Sequence, residues 1–149
     1  MIKKIQNSDS ETAKKIQKVF LKSYAVEAKI LEATDFPPLK RPFESYVKSD
    51  NDFIAFFKGQ EIAGITEIKI NAKSVYIQSL VVHPDYFRQG IADQLLEFVF
   101  STYSTPLFTV ETGVNNHPAV RLYLKKGFKE VKQWDTDFGI RKVRFEKQT

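Results

Sequence analysis

Between Asp52 and Val82 the chain offers three runs rich in Ile, Val, Phe and Tyr: "DFIAFFK", "EIAGITEIKI" and "VYIQSLVV". Only the short turns Lys58–Gln60 and Asn71–Ser74 part them. Connections that short join antiparallel neighbours, so the three runs predict consecutive antiparallel strands. Helical patterns flank them. "SETAKKIQKVFLKSY" repeats Ala13, Ile16, Val19, Phe20 and Tyr24 at helical spacing, with Ser10 as its expected N-cap. A helix from about Gln89 to Tyr103 turns Ile91, Ala92, Leu95, Phe98 and Val99 inward. "PLFTVET" reads as a strand and "HPAVRLYLKK" as a helix closed by Gly127 just past its end. "FKEVKQW" and "GIRKVRFEK" are two last strands about the turn Asp135–Gly139. Upstream, Met1–Gln6 reads as a short strand, Glu32–Phe43 with its three prolines as a loop, and Pro42–Lys48 as a brief helix. The order β, α, α, β, β, β, α, β, α, β, β is that of a mixed α/β (α+β) domain, with no internal repeat or linker, so all 149 residues read as one unit.

Composition excludes several classes of function. No cysteine is present, which removes disulfides, thiolate metal sites and a cysteine nucleophile. Two histidines, His83 and His117, do not make a histidine metal site, and His83 simply ends its strand. No run approaches the roughly 18 apolar residues of a membrane span, and the first fifteen residues lack the apolar stretch of a signal peptide. A cytoplasmic setting is therefore expected. The net charge is +5, yet Lys14, Lys15, Lys18 and Lys22 fall on the polar side of the first helix. Lys125, Lys126, Lys129 and Lys132 follow the last helix and Arg141, Lys142 and Arg144 lie near the C-terminus, but no dense cluster interleaved with aromatics appears, which argues against nucleic acid as a partner.

The stretch "HPDYFRQGIA", His83–Ala92, carries the strand into the next helix. A helix N-terminus presents free N–H groups and a partial positive charge, and phosphates bind there. Gly90 allows an oxygen close to the backbone, Ala92 is also small, and Arg88 adds a fixed charge. A pyrophosphate fits such a turn; a glycine that merely eases the turn explains the same residue.

This stretch resembles the signature of the GNAT superfamily of acyl-CoA-dependent N-acetyltransferases, Arg/Gln-x-x-Gly-x-Gly/Ala after a strand. Gly90 and Ala92 stand in register, while Phe87 replaces the first Arg or Gln. The resemblance continues in "NHPAVRLYLKKGF", which matches the family's Asn-x-x-Ala-x-x-Leu-Tyr-x-Lys-x-Gly-Phe at Asn116, Ala119, Leu122, Tyr123, Lys125, Gly127 and Phe128. It covers the chain from first helix to last strand and is loosest over residues 24–50.

The resemblance implies one N-acetyltransferase domain over residues 1–149, with acetyl-CoA as cosubstrate and an amine as acceptor. It implies a sheet splayed between the strands at about 75–82 and 106–112, with pantetheine in the gap. Backbone N–H groups of Leu80, Val81 and Val82 would meet pantetheine and the thioester oxygen, helped by a bulge there. Phe87, Arg88, Gln89, Gly90, Ile91 and Ala92 would hold the pyrophosphate, and Asn116 and Tyr123 would face the cofactor. Asn116 is equally explained as a helix cap before His117-Pro118. Aminolysis of a thioester needs a deprotonated amine, a donor for the oxyanion and an acid for the departing thiolate. Tyr123 is the expected acid, and Glu111 and Glu67 are preferred over Gln78 as the polar groups nearest the base's role. Tyr24, Glu27, Asp35, Phe36 and the Trp134–Phe138 turn are expected around the acceptor, where the acids favour a cationic amine. A non-catalytic acyl-CoA-binding module and a basic nucleic-acid binder are the rival readings, and a homodimer stays open.

Overall fold

The computed structural model describes residues 1–149, and every element expected from the sequence is present. Strands β1 (Ile2–Ile5), β2 (Asp52–Lys58), β3 (Glu61–Ile70), β4 (Val75–Val82), β5 (Leu107–Gly113), β6 (Lys129–Asp135) and β7 (Arg141–Gln148) form one sheet in the order β1-β2-β3-β4-β5-β7-β6. Only β4 and β5 pair in parallel; all other neighbours are antiparallel. The crossover between the parallel strands is helix α3 (Ile91–Thr102), as a parallel connection requires. Helices α1 (Ser10–Ile30), α2 (Phe43–Lys48) and α4 (His117–Lys125) complete the layers. No helix is long and apolar enough to cross a membrane.

Strands β2 and β3 are buried on both faces, which explains their near-continuous apolar runs. On one face Ala13, Ile16, Val19 and Phe20 of α1 pack with Tyr46 on Phe53, Ala55 and Ile65. On the other, Ile91, Leu95, Leu96 and Val99 of α3 meet Ile54, Ile68, Ile77 and Val110. Leu96 takes the fully buried place expected of Phe98, which is only part-buried. Gly64 is what lets α3 approach β3: a Cβ there would stand 2.7 Å from Ile91 Cγ2.

Helix α1 departs from its sequence reading at both ends. Its N-cap is Asp9, whose carboxylate accepts from Thr12 N–H at 3.0 Å, rather than Ser10. It runs on to Ile30 instead of stopping at Tyr24, because Ala25–Lys29 contains good helix formers and nothing that breaks the ladder. Glu32, at φ +54, ends it. This extra length brings Glu27 and Leu31 over the middle of the sheet.

Candidate active site

β4 and β5 pair only over Val75–Ile77 and Phe108–Val110, and then separate. The register of β3 on β4 runs from Ile68↔Ile77 to Glu67↔Ser79, so Gln78 is an extra residue in β4. The bulge thus lies at Gln78, before Leu80–Val82, at the point where β4 bends away from β5. Past it, His83 N–H donates to Ala63 O at 2.8 Å. Antiparallel alternation then turns the Val81 backbone groups into β3, and those of Leu80 and Val82 toward the side that β5 has left. Of the three expected backbone donors, two face the gap and Val81 does not; its side chain is core.

A cavity of about 340 Å³ opens in this gap. Leu80, Ile77 and Val110 line its sheet side, and Ala119 and Tyr123 of α4 close it. Tyr24 and Glu27 of α1 and Leu31, its C-cap, form the facing wall with Phe36–Pro38 and with Phe138 and Ile140 of the last hairpin. Asp35 and Trp134, expected among these walls, stand outside it. Asp35 pairs with Lys40 in solvent, and Trp134 stacks under Lys132 and Lys142.

Tyr123 is buried, its ring packed on Phe128 and Phe145 at 5.6 and 5.9 Å between centroids. Burial, then the nearby Glu27, Tyr24 and Tyr76, push its phenol well above the usual tyrosine value, so it stays protonated. Tyr24 is raised likewise, first by burial, and donates to Ser79 Oγ at 3.2 Å.

The carboxylates behave differently from one another. Glu67 is fully buried and receives both Arg41 nitrogens, at 2.7 and 3.1 Å, Asn51 Nδ2 at 2.9 Å and Gln78 Nε2 at 3.3 Å. With its lone pairs so occupied it is an anchor for the bulge rather than a free base, which corrects the sequence expectation. Glu111 lines the cavity but shares its charge with Arg144 at 3.3 Å and Lys142 at 3.6 Å. Glu27 has no such close cation. Burial first, opposed by Lys142 and a hydrogen bond from Asn116 at 2.8 Å, leaves it pushed up to about 7. A carboxyl whose folded pKa lies above its usual 4.5 stabilises the fold at low pH, and that contribution is lost as pH rises through about 7. Glu27→Gln is therefore expected to gain stability over the parent at about pH 8, by about 1–3 kcal/mol after allowance for water at the cavity mouth, and little at about pH 4. Urea denaturation at the two pH values checks this.

Asn116 caps α4, accepting from Ala119 N–H at 3.4 Å, and also donates to Glu27 and, at 3.3 Å, to Thr112 Oγ1. Its amide is thus committed within the chain, which favours the capping role over a direct cofactor contact. Glu27 was legible only as a wall residue. The signal for more was the helical stripe Phe20, Tyr24, Glu27, Leu31, which places a carboxylate on the buried face once α1 is allowed to continue.

The turn after β4 lies outside the cavity, on the open surface. Arg88 at φ +64 and Gly90 at φ +74 both take left-handed backbone conformations. No side chain caps α3, and no backbone acceptor is met by the N–H groups of Arg88 through Asp93. Six consecutive amides at a helix start make an anion cradle. A Cβ on Gly90 would meet only Gln94 Nε2 at 4.0 Å, so φ rather than crowding by the chain calls for glycine. Phe87 is 40% exposed beside it, and Gln89 is exposed.

Comparison with known proteins agrees with this arrangement. A family model described as "Acetyltransferase (GNAT) domain" matches residues 12–149. UPF0157 protein YqkA of Bacillus subtilis is 32% identical over 131 residues, covering 87% of this chain. The chain spans 38% of that relative's length. The ribosomal-protein-S18-alanine N-acetyltransferase of Escherichia coli superposes with a TM-score of 0.78 at 16% identity, over 99% of this chain and 92% of the other. The PaiA N-acetyltransferase of Thermoplasma acidophilum, solved in complex with coenzyme A, gives a TM-score of 0.74 at 20% identity, over 100% and 99%.

Proposed function

The chain belongs to the acetyltransferase (GNAT) family, and we propose that it moves an acetyl group from acetyl-CoA to a primary amine, of a small molecule or a peptide, by direct attack in a ternary complex. The observation that carries this reading is the convergence on one gap of the Leu80 and Val82 amides and the Tyr123 phenol. The amides of the Arg88–Asp93 turn, with the Arg88 charge beside them, take the pyrophosphate. That cradle does not depend on the side chain that Phe87 replaces. Pantetheine lies between β4 and β5, and a gap-facing β4 amide receives the thioester oxygen as it gains charge. Tyr123 gives a proton to the departing thiolate. Glu27, the one cavity carboxylate without a salt bridge, forms with the rings of Tyr24, Phe36 and Phe138 a recess that suits a cationic amine. A cytoplasmic setting belongs to the same proposal.

Thiol release from acetyl-CoA in the presence of a panel of amines, amino acids and peptides tests the reading. A protein that binds acetyl-CoA yet releases no thiol, whichever of these acceptors is present, would fit a non-catalytic binding module instead. The cofactor site has its own test. Gly90→Val places a branched side chain where the phosphate oxygens approach, and Gly90→Ala carries the same φ penalty of about 1–2 kcal/mol without that bulk. Losing one charge-assisted hydrogen bond at about 1.5–3 kcal/mol corresponds to an acetyl-CoA affinity about ten- to 150-fold weaker for the valine variant. Calorimetry on folded protein measures it, and parental affinity in Gly90→Val would move the site elsewhere.

A further inference from the structure

We propose that Glu27 takes the proton from the attacking ammonium, and that Asn116 is the positioning residue that holds its carboxylate. The assignment rests on the acetyltransferase reading above and adds the group that reading lacks. Three observations carry it. Glu27 lines the cavity on the wall facing the β4 gap, so an amine entering between α1 and the last hairpin passes its carboxylate before reaching the thioester. Asn116 Nδ2 reaches Glu27 Oε1 at 2.8 Å across 89 residues of sequence, which ties α1 to the start of the helix that carries Tyr123. The other acids of the region are engaged: Glu67 by Arg41 and Asn51, Glu111 by Lys142 and Arg144.

The protons balance. The ammonium R–NH3⁺ gives one proton to the Glu27 carboxylate and becomes R–NH2. Its lone pair forms the C–N bond at the thioester carbon. As the C–S bond breaks, the electron pair leaves on sulfur, Tyr123 donates its proton to that thiolate, and the second proton on nitrogen restores Tyr123. Glu27 returns its proton to water. The groups facing Glu27 are Lys142 of β7, Tyr123 of α4, Tyr24 of its own helix, and, across the cavity, Glu111 of β5 and Tyr76 of β4. Lys142 favours the charged carboxylate, burial opposes it, and the phenols are neutral at working pH. The carboxylate is thereby a stronger base than a solvated one while still largely ionised above neutrality.

The test compares two acceptors, an alkylamine, protonated at neutral pH, and methoxyamine, neutral there. Glu27→Gln keeps the size and the contact with Asn116. It is expected to lower kcat/KM for the alkylamine by about ten- to a hundredfold, since water can carry part of the proton. Transfer to methoxyamine and affinity for acetyl-CoA should stay within a few-fold. Equal losses with both amines would make Glu27 a packing residue, a rise in KM for the alkylamine with kcat unchanged would make it a residue that only binds the cation, and no loss with either would remove it from the reaction; each of these overturns the assignment. Asn116→Asp retains a good helix cap but sets a second carboxylate against Glu27. The acidic limb of the kcat/KM profile is expected to move up by about one pH unit or more. An unmoved limb would overturn the positioning role of Asn116, including when Glu27→Gln fails to fold. A parent that binds acetyl-CoA but transfers to neither amine would overturn the acetyltransferase reading itself, and this assignment with it.

Discussion

Replacing Tyr123 with phenylalanine is expected to lower kcat by about 10²–10⁴-fold, the range of a general acid, while acetyl-CoA affinity stays within a few-fold of the parent. The ring sits in an aromatic cluster with Phe128 and Phe145, and phenylalanine keeps all of that packing. Only the hydroxyl goes, and it faces the cavity. An ordinary tyrosine near 10 and a thiol near 8.5 leave proton transfer uphill by roughly 2 kcal/mol. Burial raises Tyr123 further. The thiolate leaves into the same partly buried gap, where desolvation raises the thiol's proton affinity too, so the mismatch does not grow by the full amount. A purely structural tyrosine predicts a different pattern. Its hydroxyl finds no partner within the chain, so phenylalanine would leave the melting temperature unchanged or raise it, with turnover near normal. Steady-state turnover and thermal melting on one preparation separate the two. Turnover within a few-fold of the parent would remove Tyr123 from the chemistry, provided a pre-steady-state burst does not reveal slow product release.

The second large effect is on stability. Arg41→Met is expected to cost about 3–5 kcal/mol, because it strands the buried Glu67 carboxylate. The guanidinium also lies 4.2 Å from the Tyr46 ring centroid, so part of the loss is packing. The double variant Arg41→Met with Glu67→Met removes both charges and should be less destabilised than the two single changes added together, by about 1–3 kcal/mol. Additive losses would mean that the pair is not coupled. The pair also bears on the site. It ties the segment before α2 to Gln78, the extra residue at which β4 leaves β5. Ser79 Oγ reaches Glu67 at 3.5 Å and receives the Tyr24 hydroxyl at 3.2 Å. Arg41→Met should therefore raise KM for the amine more than it lowers kcat, in contrast to Tyr123→Phe.

Sequence alone determined the order of elements, because two periodicities, alternation in strands and the three-to-four repeat in helices, are local properties of the chain. It also pointed to the turn Arg88–Ala92 as the candidate anion site, since a glycine between a strand and a helical stripe is visible in a dozen residues, and it singled out Tyr123 as a candidate through a motif on one helix. What it left undecided depends on residues far apart in the chain. In sequence, Glu67 and Glu111 are the carboxylates preferred for the base's role, and Glu27 is expected only as a wall of the acceptor pocket. Tertiary structure separates them, by giving Glu67 the guanidinium of Arg41, Glu111 the cations of β7, and Glu27 burial, an amide from Asn116 and no cation closer than the Coulombic reach of Lys142. The place of the bulge, Gln78 rather than Leu80–Val82, likewise follows from the register of β4 against β3, which no single strand contains. Charge and proton affinity respond to burial and to neighbours within a few ångströms, and those neighbours exist only once the chain has closed on itself.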